Sequence, residues 1–367
     1  MRKVMLMLAA ALLAVLAVGA TAVAQSQDSG KTTADRGIST QAVETGPSGE
    51  TVIGRGSDTT YNVSSLLGNL YTFSPTREDG VTTENVNEDI ILNAPPQGSS
   101  VGIAQLADAA DLSSDPAADV PTSFARSSRG PRDSDPEGLS FTAFARDAIV
   151  PVTFGAQGGP AQGVENLSLQ QLRGIFVTCQ ITNFNQIGGD DAPIAVYTIQ
   201  EGSGTRATFD QFLNGDSDNC IPPEFKDGNQ ANGERIIFEN NANPILETDA
   251  GVDPSLRGRA IFPFSFARLS TSVPNEAINA LRVNNVEANA STISNRSFPF
   301  TRDVYFVTVL DNRSPDDAAA DRFVNWVCKP NSAHGKDPIS GDNYGKVINN
   351  TILASGFGLR NCADTLT

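Results

Sequence analysis

Residues 52–70 read Val-Ile-Gly-Arg-Gly-Ser-Asp-Thr-Thr-Tyr-Asn-Val-Ser-Ser-Leu-Leu-Gly-Asn-Leu. Val52-Ile53 is a short apolar run, and Gly54 to Thr60 is polar and glycine-containing. Val63, Leu66, Leu67 and Leu70 then return at helical spacing, so the stretch predicts strand, loop, helix. The design recurs twice. Ile90-Ile91-Leu92 runs through Pro95-Pro96-Gln97-Gly98-Ser99-Ser100 into Val101, Ile103, Leu106, Ala107 and Ala110. Ile194 to Ile199, expected as one strand, runs through Glu201-Gly202-Ser203-Gly204-Thr205-Arg206 into Ala207, Phe209, Phe212 and Leu213. A helix start carries unpaired backbone N–H groups and the positive end of the helix dipole. Small residues let an anion approach those groups, and hydroxyls add donors. Any one such serine is explained by helix capping. Three such loops, together with Arg126-Ser127-Ser128-Arg129 after Phe124-Ala125, point to convergence on an anion.

Further out, Phe141 to Val152 reads as a strand, with Arg146-Asp147 inside it as a structural pair. Leu167 to Leu172 predicts a short amphipathic helix capped by Ser168. Ala260-Ile261-Phe262 and Val304 to Leu310 predict strands, and Ala318 to Cys328 predicts a helix. Asp190-Asp191 follows Gly188-Gly189 and reads as a turn. Strands alternating with helices predict a parallel α/β architecture.

The chain has 367 residues, enough for about two compact domains. Its 42 acidic and 26 basic side chains give a net charge of −16. That balance excludes a general nucleic-acid binder, which needs a basic footprint. It argues equally against adsorption to anionic lipid. One His excludes His-rich metal sites, and neither a metal nor a cofactor is expected. Arg2 and Lys3, the apolar run Val4 to Val18 and Ala22-Val23-Ala24 read as an export signal over residues 1–24. Residues 25–49 read as a flexible leader. Export places the four cysteines in an oxidising space, where three pairings are open. The sequential pairs Cys179–Cys220 and Cys328–Cys362 are expected, because each staples one local loop-rich region.

The order of the motifs resembles the substrate-binding protein of the bacterial ABC phosphate transporter. The residues that carry the resemblance are Gly54-x-Gly-Ser-Asp-Thr-Thr, Gly98-Ser-Ser, Phe124-Ala-Arg-Ser-Ser, Phe144-Ala-Arg-Asp-Ala-Ile-Val and Gly202-Ser-Gly-Thr. Later pieces agree: Ala260-Ile-Phe-Pro-Phe-Ser-Phe-Ala, Phe298-Pro-Phe-Thr-Arg-Asp-Val-Tyr and Phe323-Val-Asn-Trp. The resemblance implies two α/β lobes joined by crossover strands, closing on the ligand. The first lobe would take residues 50–147 and 305–367, and the second residues 148–304. The implied ligand set is Ser57, Asp58, Thr59, Ser99, Ser127, Ser128, Ser203, Gly204 and Thr205. Two positions depart from the pattern. The family's proton-accepting acid appears here as Ser128, and its arginine before Ser-Gly-Thr appears as Ile199. Arg126 first, then Arg206, would replace that cation, and Asp58 or Glu201 would accept the proton. The implied protein is a monomeric, non-enzymatic binder of phosphate or a similar oxyanion, serving an ABC permease or acting as a free scavenger or sensor.

Two other readings are open from the sequence. A secreted hydrolase would need Ser100 or Ser203 with His334; Gly98 to Gly102 does carry the Gly-x-Ser-x-Gly spacing. A surface interaction protein that has lost its pocket would fit Ile199 and Ser128.

Overall fold

The computed structural model describes residues 50–72, 89–112, 120–154, 159–226, 234–241, 245, 258–272, 278–311, 314–328, 342–362 and 365–366. The expected export signal, the leader and His334 lie outside the described residues.

The opening stretch folds as β1 (Thr51–Gly56) and α1 (Tyr61–Thr72), with alternate strand residues buried. The second repeat gives β2 (Ile90–Asn93) and α2 (Ser99–Ala109). β3 (Phe124–Ser127) is buried throughout and leads to the long β4 (Leu139–Phe154). After β5 (Asn166–Leu167), α3 (Leu169–Phe176) begins with the expected cap. Ser168 Oγ accepts from the Gln171 N–H, and the Gln171 side chain accepts from the Ser168 N–H, a reciprocal capping box.

The predicted strand 194–199 is two strands. β6 (Ala195–Val196) pairs with β9 (Ala260–Ser265), whereas β7 (Thr198–Ile199) pairs with β8 (Ile236–Ile237) in a separate small sheet. The chain changes ladders at Tyr197. Residues 195–199 are all buried, so there is no alternation from which the sequence could signal the change. Next come α4 (Gly204–Leu213), α5 (Phe266–Ser272), β10 (Ile278–Ala280), β11 (Arg282–Val283) and α6 (Ala290–Ser294). β12 (Thr301–Val309), α7 (Pro315–Cys328), α8 (Tyr344–Ala354), β13 (Gly358–Leu359) and β14 (Thr365–Leu366) complete the described strands and α-helices.

The main sheet runs β2-β1-β3-β12-β4-β9-β6, with β10, β13 and β14 also on β4. It is mixed rather than parallel. β1 pairs parallel with β2 and β3, but β12 runs antiparallel to both β3 and β4. β4 serves two neighbourhoods. Its first half pairs with β12, β13 and β14, and its second half with β9 and β10. The cores follow the same division. One is built from residues between Ala148 and Phe300. The other two use residues up to Ala145 and from Val304 onward, with Ala267 the exception.

Cys179 bonds to Cys220 and Cys328 to Cys362, the expected pairing, with Cα–Cα distances of 5.3 Å. Cys220 packs against the first core, and Cys328 and Cys362 against the second.

Candidate functional site

Three strand–loop–helix units bring their loops together. Gly98 precedes α2 with φ +109°, and a Cβ there would stand 3.0 Å from both Gly202 O and Glu239 Oε1. Glycine therefore lets the second loop close on the third, where the Ser100 N–H donates to Gly202 O at 3.1 Å. Gly204 opens α4 so near the other loops that a Cβ would meet Ser99 Oγ at 2.2 Å and Ser128 Oγ at 2.6 Å.

Around these helix starts lies a buried cluster of hydroxyls. Ser57 Oγ donates to Ser128 Oγ at 3.1 Å, and Ser99 Oγ lies 3.3 Å from Ser128 Oγ while accepting from the Ser128 N–H at 3.0 Å. Thr59 Oγ1 and Thr205 Oγ1 are 3.2 Å apart. All five side chains are at most 1% exposed. The first residues of α2 and α4, Ser99 and Gly204, thus lie against each other at the cluster.

The cation at this cluster is Arg302, which the sequence reading did not single out. It lies on β12 and donates from Nη2 to Thr205 Oγ1 at 3.0 Å and to Thr59 Oγ1 at 3.3 Å. Nη1 donates to Ser128 O at 3.1 Å. The strand register sets Arg302 directly opposite Asp147 on β4, and Nη2 meets Asp147 Oδ2 at 2.7 Å. Both are buried, so the carboxylate offsets the cost of bringing the guanidinium out of water. The adjoining pair is reversed: Arg146 on β4 faces Asp303 on β12, 3.5 Å apart. The only sequence signal was this complementarity, Arg-Asp in one apolar strand and Arg-Asp in another, 155 residues apart.

Arg126 and Arg206 do not reach the hydroxyls. Arg126 is fully buried, and its guanidinium donates to Gly54 O at 2.7 Å, Asn93 Oδ1 at 2.8 Å, Ala94 O at 3.0 Å and Ser57 O at 3.4 Å. It lies over the Tyr61 ring, 5.2 Å from the centroid. Burial pulls its pKa down to about 10, which leaves it charged at neutral pH. Its donors tie the ends of β1 and β2 to β3. Arg206 pairs with Asp210 and Asp218 on its own side of α4. Ser127 Oγ turns back to donate to Arg129 O at 2.7 Å, and Ser203 Oγ caps α4 by accepting from the Thr205 N–H. Glu201 is exposed, and Ile199 is buried in the core.

Two carboxyl groups face the cluster. Asp58 pairs with Arg268 at 3.2 Å and accepts from Asn240 Nδ2 at 3.4 Å. Glu239, a second residue missed in the sequence, accepts from Gln200 Nε2 at 2.7 Å. Its Oε2 has no hydrogen-bond partner among the described residues. Burial first, and then the charge of Asp58, push its pKa up to about 7. Charged, it accepts protons from a ligand; protonated, it donates one. Hydroxyls, helix starts and a half-neutralised guanidinium, with acids at the rim, suit a small oxyanion that carries a proton.

A family model for the PBP superfamily domain matches residues 41–331. The chain belongs to that superfamily. It is 24% identical over 275 residues to the phosphate-binding protein PstS of Borreliella burgdorferi, covering 74% of this chain and 85% of that protein. It is 25% identical over 163 residues to the phosphate-binding protein PstS of Bacillus subtilis, 44% of this chain. That match spans 46%, about half, of the Bacillus protein's length. Among solved structures, a putative phosphate ABC transporter substrate-binding protein with bound phosphate from Clostridium perfringens superposes with a TM-score of 0.60 at 19% identity. The match covers 85% of this chain and all of that one. An ABC-type phosphate transport receptor from Vibrio cholerae gives 0.54 at 20% identity, covering 84% of this chain and all of that one. These superpositions establish the mixed α/β binding-protein fold. Among the described residues, no helix is long and apolar enough to cross a membrane.

Proposed function

We propose that the protein is an exported, non-enzymatic receptor that holds phosphate between two closing lobes and presents it to an ABC permease. The reading rests above all on the buried cluster of Ser57, Thr59, Ser99, Ser128 and Thr205 against Arg302. The relatives' names point to the same ligand. Arg302 takes the role of the cation that Ile199 cannot supply, and Asp58 with Glu239 takes the role of the proton acceptor. Charge-assisted donors from Arg302, hydroxyl donors and two helix starts together replace the hydration shell of the ion. The lobes are residues 50–147 with 305–367, and residues 148–304, meeting where β4 passes from one core to the other.

No observation favours turnover over binding. Ser203 Oγ is occupied as the cap of α4, and Ser100 Oγ accepts from Arg129 Nε at 3.2 Å. A thermal-shift panel of phosphate, arsenate, sulfate and molybdate tests the reading. Phosphate at about 100 times its Kd is expected to add roughly 2.7 kcal/mol to the folded state. A protein that none of the four ions stabilises is not a tetrahedral-oxyanion receptor.

A further inference from the structure

A second polar space lies beside the hydroxyl cluster, and Arg302 lines both. It is a cavity of about 520 Å³. One wall is the loop after β3, with Arg129 and Arg132. Another is the face of α4 that carries Thr208, Gln211 and Phe212, positions spaced to fall on one side of a helix. The third is Arg296 in the turn before β12, with Asp303 and Tyr305 on that strand. Thr208 Oγ1 donates to Ser128 O at 3.4 Å between this cavity and the cluster.

The charge here runs against the rest of the molecule. The whole chain carries −16, yet four arginines and one aspartate line this cavity. Arg129 is paired with Asp135, and Arg302 with Asp147. Asp303 is shared by Arg146, Arg296 and Arg360, so one carboxylate answers three guanidinium groups. The guanidinium of Arg132 has no ion-pair partner among the described residues. Partial burial, and then the neighbouring charge of Arg129, lower its pKa, against the smaller opposing pull of Asp135 and Asp210. An anion beside Arg132 relieves that repulsion. The volume falls within the range, roughly 300–1,000 Å³, of sites that enclose small organic ligands. It is far more than one tetrahedral oxyanion fills, and Phe212 and Tyr305 add apolar surface.

We propose that this cavity is a second anion site, built for a phosphomonoester of a small organic molecule, with its phosphoryl group between Arg132 and Arg296 and its organic part against Phe212 and Tyr305. It uses groups outside the hydroxyl cluster except Arg302, so it stands apart from the phosphate reading. A phosphoryl group also reaches proteins as condensed inorganic phosphate, and the test separates the two.

The full chain, saturated with orthophosphate, is titrated calorimetrically with glycerol phosphate, pyrophosphate or uncharged glycerol. Glycerol phosphate is expected to bind with one further equivalent, and glycerol not at all. The charge reversals Arg132→Glu and Arg296→Glu fall on exposed side chains. They are expected to weaken that equivalent by at least about tenfold and to leave orthophosphate affinity within about twofold. No further equivalent, or one that neither reversal weakens, overturns the site. Pyrophosphate bound in preference to the ester overturns the organic assignment. If orthophosphate itself fails to bind while the ester binds with sensitivity to Arg132, the reading under the previous heading fails and this one stands.

Discussion

Two buried arginines, Arg126 and Arg302, occupy neighbouring strands and serve opposite ends. Arg126 lies at the end of the β1–β2 edge, where its donors meet main-chain carbonyls and an amide oxygen. Arg302 lies in the middle of the sheet, where its donors meet two hydroxyls and one carboxylate besides a single main-chain carbonyl. Carbonyls at strand ends are fixed acceptors that must be satisfied for the strands to stay in register. Hydroxyls can rotate and either give or take a proton. The kinds of partner therefore separate a cation that holds the fold from one that can turn to a ligand, although both are almost fully buried.

The largest test of that contrast is Arg126→Ala. It leaves Ala94 O and Asn93 Oδ1 without the Arg126 donor, and Gly54 O with the Ala94 N–H alone. Urea unfolding is expected to show a loss of about 4 kcal/mol, from two acceptors that lose a donor, at roughly 1–3 kcal/mol each, and from the void left by the side chain. A loss under about 1 kcal/mol, combined with abolished phosphate binding, would return Arg126 to the ligand and break the comparison.

Next is the acid on the Arg302 side. Burial raises Glu239 from 4.5 to about 7. The folded protein keeps a proton that the unfolded chain gives up between those values. Stability from this group is complete below about pH 4.5 and is lost as pH rises through about 7. The loss is on the order of 3 kcal/mol. Glu239→Gln should therefore match the parent near pH 4.5 and exceed it at pH 8. Equal pH slopes for the two proteins, read by thermal unfolding, would mean that Glu239 is ionised throughout.

The smallest expected effect is the most specific. Arg302→Met alone leaves Asp147 buried and unpaired, so stability and binding fall together. In Arg302→Met with Asp147→Asn both charges are gone, and stability should return to within about 1 kcal/mol of the parent. Phosphate affinity should stay about 30-fold weaker, near 2 kcal/mol. Recovery of affinity in the double variant would remove Arg302 from the site.

Much of the fold was legible because its cues are local. The Ser168–Gln171 box, the loop glycines and the sequential cysteines each act within a few residues or one segment. The hydroxyl loops were legible for the same reason. What escaped is what depends on register. Arg302 meets Asp147 only because β12 and β4 pair across the chain, and no local pattern distinguishes it from any other strand arginine. Arg126 read as a ligand because it adjoins Ser127-Ser128, but its donors are taken up by Gly54 O, Asn93 Oδ1, Ala94 O and Ser57 O. Glu239 follows a strand of two residues, too short to show a period.

The place of β12 sets an order of events. It lies between β3 and β4, which precede it by more than a hundred residues, and runs antiparallel to both. As the chain is made from its N-terminus, β3 and β4 wait with open edges until residues 301–309 have followed. The strand that closes this gap is also the one that carries Arg302. A nascent chain therefore cannot complete the hydroxyl cluster early: the guanidinium arrives only with the strand that joins β3 to β4, and β13 and β14 are added to β4 after it.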